Sequence, residues 1–215
     1  EPYEGVRTTG TQFAIQKQIA EQVAENVGAA VSPEDDARIS KSPTDNLEAF
    51  DLYTLGRIRW IGRDTEEMYE ALELYRAAID LDPEFAPAYA GIAETYLLLT
   101  FFDRSELDVH DYIRRARSAA EKALALDDSL SEAHAALGYL KVWSDRDWEG
   151  AERELRLATE LDPGNTQALA WHAETLSTLG RAEEAIVGAR RAALANPGSL
   201  NENVALASSL RNAGR

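Results

Sequence analysis

Four near-copies of one short turn constrain this chain more than any other feature. IDLDPEFAPA begins at Ile79, ALALDDSLSEA at Ala123, ELDPGNTQA at Glu160 and ALANPGSLNE at Ala193. Their anchors, Asp82, Asp127, Asp162 and Asn196, lie 45, 35 and 34 residues apart, and a period near 34 points to a solenoid of helix pairs. Each anchor is followed by Pro83, Asp128, Pro163 or Pro197. A proline there cannot continue a helix and pushes its predecessor out of helical geometry, so the turn is a stop signal. Apolar residues at helical spacing precede each turn and follow it, as with Leu72, Tyr75, Ala78 and Ile79 before the first and Tyr89, Ile92, Ala93 and Tyr96 after it. Helices therefore flank every turn.

The second helix of each pair carries alanine at two fixed slots, first at Ala71, Ala116, Ala151 and Ala185, then at Ala78, Ala123, Ala158 and Ala192. Helix axes that approach within about 8–10 Å need small residues at the contact. Between the two slots Tyr75 and Leu155 supply bulk, whereas Ala120 and Ala189 predict lighter packing. On the first helices Leu55-Gly56 and Leu137-Gly138 form a Leu-Gly pair, and Ile92-Ala93, His172-Ala173 and Leu206-Ala207 keep a small second member. In these residues the chain resembles the tetratricopeptide-repeat (TPR) family. The resemblance implies an all-α fold, a right-handed α-α superhelix of about four helix pairs plus a terminal helix. The repeats fall at about 46–83, 86–128, 131–163, 166–197 and, in part, 200–215. Relative to the period, about three extra residues near Gly62–Asp64 and about eleven around Thr100–Asp111 are expected in the turns within pairs.

Residues 1–45 are expected to stand apart from the repeats. Ile15, Ile19, Val23 and Val27 recur every fourth residue and predict an amphipathic helix over about 12–31, followed by a linker through Ser42-Pro43-Thr44-Asp45. From Gln16 to Trp60 the chain resembles the junction in large bacterial signalling proteins where a TolB-like module precedes TPR repeats. That resemblance implies that residues 1–31 are the tail of such a module. Its parents include class III nucleotide cyclases, winged-helix regulators and Ser/Thr kinases. The chain opens on Glu1 with no secretory signal, and LRNAGR at Leu210 parallels LSTLGR at Leu176, which leads into another helix. Both ends read as continuing into a longer protein, with a polar capping helix as the alternative for the last segment.

Composition narrows the function. Twenty-two basic against 38 acidic residues give a net charge of −16 without a basic cluster, which opposes nucleic acid and anionic lipid. The longest apolar run, Tyr96–Phe102, is far short of a membrane span. The absence of cysteine fits a cytoplasmic location and is also compatible with the periplasm. No nucleophile with an activating base, no carboxylate pair in an identified pocket and no glycine-rich phosphate cradle is apparent, so this segment reads as non-enzymatic, without cofactor. His134 and His172 occupy first-helix slots and read as packing histidines. His110 with Asp103, Glu106, Asp108 and Asp111 matches no calcium loop and reads as a solvated acidic insert, with no metal expected.

What remains is the groove. Projected from the first helices, the residues expected to face it are Tyr53, Arg57, Trp60 and Ile61, then Glu94, Leu97 and Leu98, then Tyr139, Val142 and Trp143, then Glu174 and Ser177, and finally Ser208. The rows Tyr53, Ala90, Ala135, Ala170 and Arg57, Glu94, Tyr139, Glu174 do not make up the set of Lys, Asn and Arg by which TPR domains grip chaperone carboxyl termini, so that carboxylate clamp is absent. An apolar wall with acidic edges suits an apolar or basic protein segment. The same aromatics also serve if they only plug the superhelix, if the inserted Phe101-Phe102 loop or the helix at 12–31 lies in the groove of its own or a neighbouring chain, or if the chain is a regulatory segment of a cyclase or kinase that acts through self-association. Overpacking one alanine slot tests the register: Ala185→Phe is expected to lower stability by about 1–3 kcal/mol in chemical denaturation.

Overall fold

The computed structural model describes residues 43–103 and 109–214. Within them lie nine α-helices and no strand: α1 (Leu47–Gly62), α2 (Thr65–Leu81), α3 (Ala86–Phe102), α4 (Val109–Leu126), α5 (Ser131–Leu140), α6 (Trp148–Leu161), α7 (Thr166–Thr178), α8 (Ala182–Ala195) and α9 (Leu200–Asn212). A π-helical turn, Lys141–Asp145, continues α5. The helices pack as the antiparallel pairs α1/α2, α3/α4, α5/α6 and α7/α8, with α9 against the last pair. This is the α-α solenoid that the repeat demands. The expected amphipathic helix at 12–31 lies outside the described residues.

The turns repeat because each anchor does the same work. The carboxylates of Asp82, Asp127 and Asp162 accept from the backbone N–H two residues on, at 3.0, 3.0 and 2.9 Å. The carbonyls of Asp82, Asp162 and Asn196 accept from the N–H three residues on, at 3.1 Å in each case. An Asx turn thus closes one helix and launches the next without stranding backbone groups.

All eight alanines of the fixed slots are 0% exposed, as are the four residues between them. The slots differ in what they face. A methyl group on Gly56 would lie 2.6 Å from the Tyr75 ring, and one on Gly91 would lie 2.7 Å from it, so two glycines from successive first helices form a slot for one tyrosine. A methyl group on Gly138 would meet Leu155 at 2.6 Å. Ala120 and Ala189 share their core clusters with Ala93 and Ala173, which carry a methyl where the other pairs have glycine. The methyl groups of Ala93 and Ala173 make up part of the volume that Ala120 and Ala189 lack relative to Tyr75 and Leu155.

Of the extra residues, the first group lies in the turn within its pair as expected, and the second departs from the expectation. Those near Gly62–Asp64 form a tight turn in which Arg63, at φ 53°, caps α1 in the left-handed region and Asp64 caps α2. Of the longer insert, much is helical: α3 and α4 have 17 and 18 residues, against 13 and 14 in α7 and α8. Residues 104–108 lie outside the described residues.

The slots give paired outcomes for one substitution. Gly91→Ala is expected to cost about 1–3 kcal/mol, since the Tyr75 ring cannot retreat from one glycine without striking the other. Gly188→Ala, whose methyl would meet only ordinary contacts at 3.7 and 3.9 Å, is expected to stabilise by about 0.5–1 kcal/mol through helix propensity. Urea denaturation of both variants measures the contrast.

Candidate functional site

The first helices line two cavities, and the residues expected to face the groove divide between them, the core and the surface. The larger, about 610 Å³, takes Arg57, Trp60 and Ile61 from α1 and Glu94 from α3, and is closed by the turns that precede α7 and α9. Arg57 donates to Glu94 at 2.6 Å and lies 4.5 Å from the Trp60 ring centroid, so the chain satisfies this cation internally. Glu94 is 1% exposed, and burial raises its carboxyl pKa while Arg57 opposes the rise. Ile61 is 67% exposed. Tyr53 is turned towards the core instead, with its ring 5.8 Å from Tyr75 and 5.2 Å from Phe85.

The second cavity, about 310 Å³, is lined by Tyr139, Trp171, Glu174, Ser177, Ser208 and Arg211, among others, from α5, α7 and α9. Beside it an aromatic wall crosses three repeats. Tyr139 stacks on Trp171 at 4.3 Å and 14°, Trp143 stands 6.1 Å from Tyr139, and Phe101 lies 5.8 Å from Trp143 and 6.0 Å from Tyr139. Tyr139 and Trp171 are buried, whereas Trp143 and Phe101 are 55% and 48% exposed. Trp143 is carried on the π-helical turn, a local widening of the helix that recurs at functional sites. Desolvation raises the Glu174 carboxyl at the cavity edge.

Besides Tyr53, three of the projected residues line neither cavity and are turned into the core. Leu97, Leu98 and Val142 are 3%, 5% and 7% exposed and serve the core. Helix α3 is buried along nearly all its length, because α1, α4 and α5 all pack on it. Two wall residues escaped the projection. Trp171 sits one turn before the facing slot held by Glu174, and Phe101 lies at the end of the helical extension of α3, outside the repeat register. Arg63 was missed as well. It donates to Gln167 at 2.6 Å across 104 residues of sequence, a contact that only the closure of the superhelix brings about.

The histidines and the acidic insert are tied up in structure. His134 shares Nδ1 with Glu154 at 2.8 Å and Nε2 with the Asp128 carbonyl at 3.0 Å, and Lys141 donates to the same Glu154 at 2.6 Å. His172 Nε2 is buried with no hydrogen bond, 3.7 Å from Glu152, and burial lowers its pKa. Asp111 pairs with Arg114 and Arg115, and Asp103 accepts from Tyr69 and Tyr112. Glu106 and Asp108 lie outside the described residues. Among the described residues, no group of three or more His, Asp or Glu is placed to hold a metal ion, and no helix is long and apolar enough to cross a membrane.

The bond from Glu154 raises the His134 pKa above its ordinary 6.5, and His134 in turn holds the Glu154 carboxyl down at about 2, from an ordinary 4.5. The histidine's contribution to stability is complete below pH 6.5 and fades as pH rises through its raised value. The carboxylate's contribution is complete above pH 4.5 and fades as pH falls through about 2. The stability lost in His134→Gln is therefore expected to be greatest between these limits, about 1 kcal/mol for a partly buried pair, and smaller at pH 8.5. Urea denaturation at about pH 5.5 and pH 8.5 checks it.

No family model matches the sequence, and no curated protein matches it. Among solved structures the chain is similar to a thermophilic TPR protein of Thermus thermophilus, at 20% identity and a TM-score of 0.60, over 91% of this chain and 99% of that one. It is also similar to PilW, a widely conserved type IV pilus biogenesis factor, at 19% identity and a TM-score of 0.57, over 79% and 71% of the two chains. For PilF of Pseudomonas aeruginosa the figures are 18% and 0.54, over 78% and 69%. At such identities the likeness is one of architecture, and the chain has the tetratricopeptide-repeat fold.

Proposed function

We propose that this chain is a protein-interaction scaffold that holds an apolar or basic segment of a partner against the aromatic wall, as the regulatory part of a larger bacterial signalling protein. The observation that carries the binding role is the four-ring cluster of Phe101, Tyr139, Trp143 and Trp171, whose two buried rings anchor two exposed ones. Rings fixed from behind contribute contact area at low entropic cost, and aromatic anchors of this kind dominate protein interfaces. The charge preference follows from the net −16 and from Glu174 at the cavity edge. The one arginine of the facing rows, Arg57, is already spent on Glu94. The regulatory assignment rests on the resemblance of Gln16–Trp60 to the junction after a TolB-like module.

Binding is by burial and needs no chemistry from the chain. Trp143→Ala is expected to weaken capture of a fluorescein-labelled amphipathic Leu/Arg peptide by at least about tenfold, since it removes an aromatic anchor, while the melting temperature changes little because the side chain is half exposed. Fluorescence anisotropy and thermal denaturation measure the two. A chain that ignores such peptides, and that runs as a tight dimer in light scattering with Trp143 shielded from quencher, would favour self-association instead.

A further inference from the structure

The larger cavity contains two hydrogen-bond donors for which the fold supplies no acceptor. Trp60 and Gln167 line it and are 6% and 4% exposed, and the indole Nε1–H and the amide Nε2 are both buried without a partner. A buried donor left unpaired costs about 1–3 kcal/mol. One side chain touches both residues: the Arg63 guanidinium lies 5.1 Å from the Trp60 ring centroid and donates to Gln167 Oε1 at 2.6 Å. That bond uses the acceptor end of the amide and leaves its donor end over.

Three of the four carboxylates around the cavity are engaged: Glu94 accepts from Arg57 at 2.6 Å, Glu202 from Thr166 at 2.9 Å, and Asp162 from the Gly164 N–H at 2.9 Å. The two buried donors have no such partner and call for an acceptor on the ligand, while the fourth carboxylate, Glu132, is left to meet a cation. Charge decides which acceptor. Two guanidinium groups, Arg57 and Arg63, face four carboxylates, those of Glu94, Glu132, Asp162 and Glu202. The surplus is negative and opposes a carboxylate or phosphate, while it favours a neutral carbonyl with a cation nearby. The volume of about 610 Å³ lies within the range of about 300–1,000 Å³ usual for ligand sites.

We propose that this cavity is a seat for main-chain carbonyl oxygens of a bound segment that bears Lys or Arg, to which Trp60 Nε1 and Gln167 Nε2 donate once the Arg63 side chain has swung aside. The seat rests on the scaffold reading and deepens it, adding a polar anchor in a cavity that the aromatic wall does not line. Arg63 suits the gating role because its backbone is fixed as the left-handed cap of α1, so only side-chain rotations are needed to uncover both donors.

The test follows the four tryptophan indole N–H signals of the uniformly ¹⁵N-labelled 215-residue chain, with those of Trp60 and Trp143 assigned from Trp60→Phe and Trp143→Phe. The probes are two capped tripeptides, acetyl-Lys-Gly-Lys-amide and acetyl-Glu-Gly-Glu-amide. The lysine tripeptide is expected to move the Trp60 signal downfield saturably, and the glutamate tripeptide to leave it in place. Gln167→Met is expected to weaken the lysine tripeptide by about 3- to 10-fold, as for loss of one hydrogen bond, while Arg63→Met binds it at least as well as the unmodified chain. A Trp60 signal unmoved by the lysine tripeptide, or moved equally by both probes, overturns the seat, and this readout needs no variant to fold beyond those used for assignment. If Trp60 stays silent while Trp143 responds to the amphipathic peptide, the seat falls and the aromatic reading stands. If Trp60 responds and Trp143 does not, the seat stands alone.

Discussion

The structure depends on a balance of volumes where paired helices cross. The backbones can come close only if large side chains on the second helix meet glycine, and small ones meet alanine. Tyr75 is enclosed by Gly56 and Gly91, Leu155 rests on Gly138, and Ala120 and Ala189 share their clusters with Ala93 and Ala173. Because Tyr75 touches two first helices at once, the same ring that sets the crossing within a pair also sets the stacking of the next pair upon it. A core built this way is close-packed and unforgiving of a single added methyl. It also fixes the direction in which every first helix presents its other face, and thereby creates the two cavities.

The turns convert that local geometry into a curve. Three Asp carboxylates capture the amide two residues on, so three of the second helices hand the chain to the next first helix through the same hydrogen-bonded turn. The turns within pairs vary. Arg63 and Arg146 are the two non-glycine residues with positive φ among the described residues, and both end first helices. The corresponding position after α7 is Gly180, at φ 77°, which adopts this conformation without steric cost. Placing arginine there strains the backbone slightly but plants a long cationic arm at the rim, and Arg63 uses its arm to reach Gln167.

How much of this was legible in the sequence follows the range of the interactions. The turns, the alanine slots and the pairing of helices depend on contacts within one period, and the sequence repeats them often enough to be read. The groove does not share that property. Helical projection gives the angle at which a side chain leaves its own helix, and Glu94, Glu174 and Ser177 lie on cavities as that angle implies. Whether a neighbouring helix covers that side depends on inter-repeat angles summed over several pairs. Leu97, Leu98 and Val142 were projected inward and are covered by other helices, while Trp171 and Arg63 meet partners that no local pattern announces. Phe101 escaped for a different reason, since the helical extension that carries it breaks the repeat length.

The buried Arg57–Glu94 pair bears on what this groove can hold. Removing two charges from water costs several kcal/mol per ion, and only their mutual bond and further contacts offset it. Arg57 is held by Glu94 at 2.6 Å and covered by the Trp60 ring, so an incoming carboxylate would have to displace one buried anion in order to seat another. The proposed preference for apolar or basic segments over acidic termini thus has a ground in this ion pair as well as in the net charge. The two cavities then differ in kind. Beside one the surface offers the exposed rings of Trp143 and Phe101, and in the other it offers two unpartnered donors among a surplus of carboxylates. On the proposed reading, a segment with apolar side chains at one end and open carbonyls beside a cation at the other would match both in one orientation only, so binding of that kind would be directional.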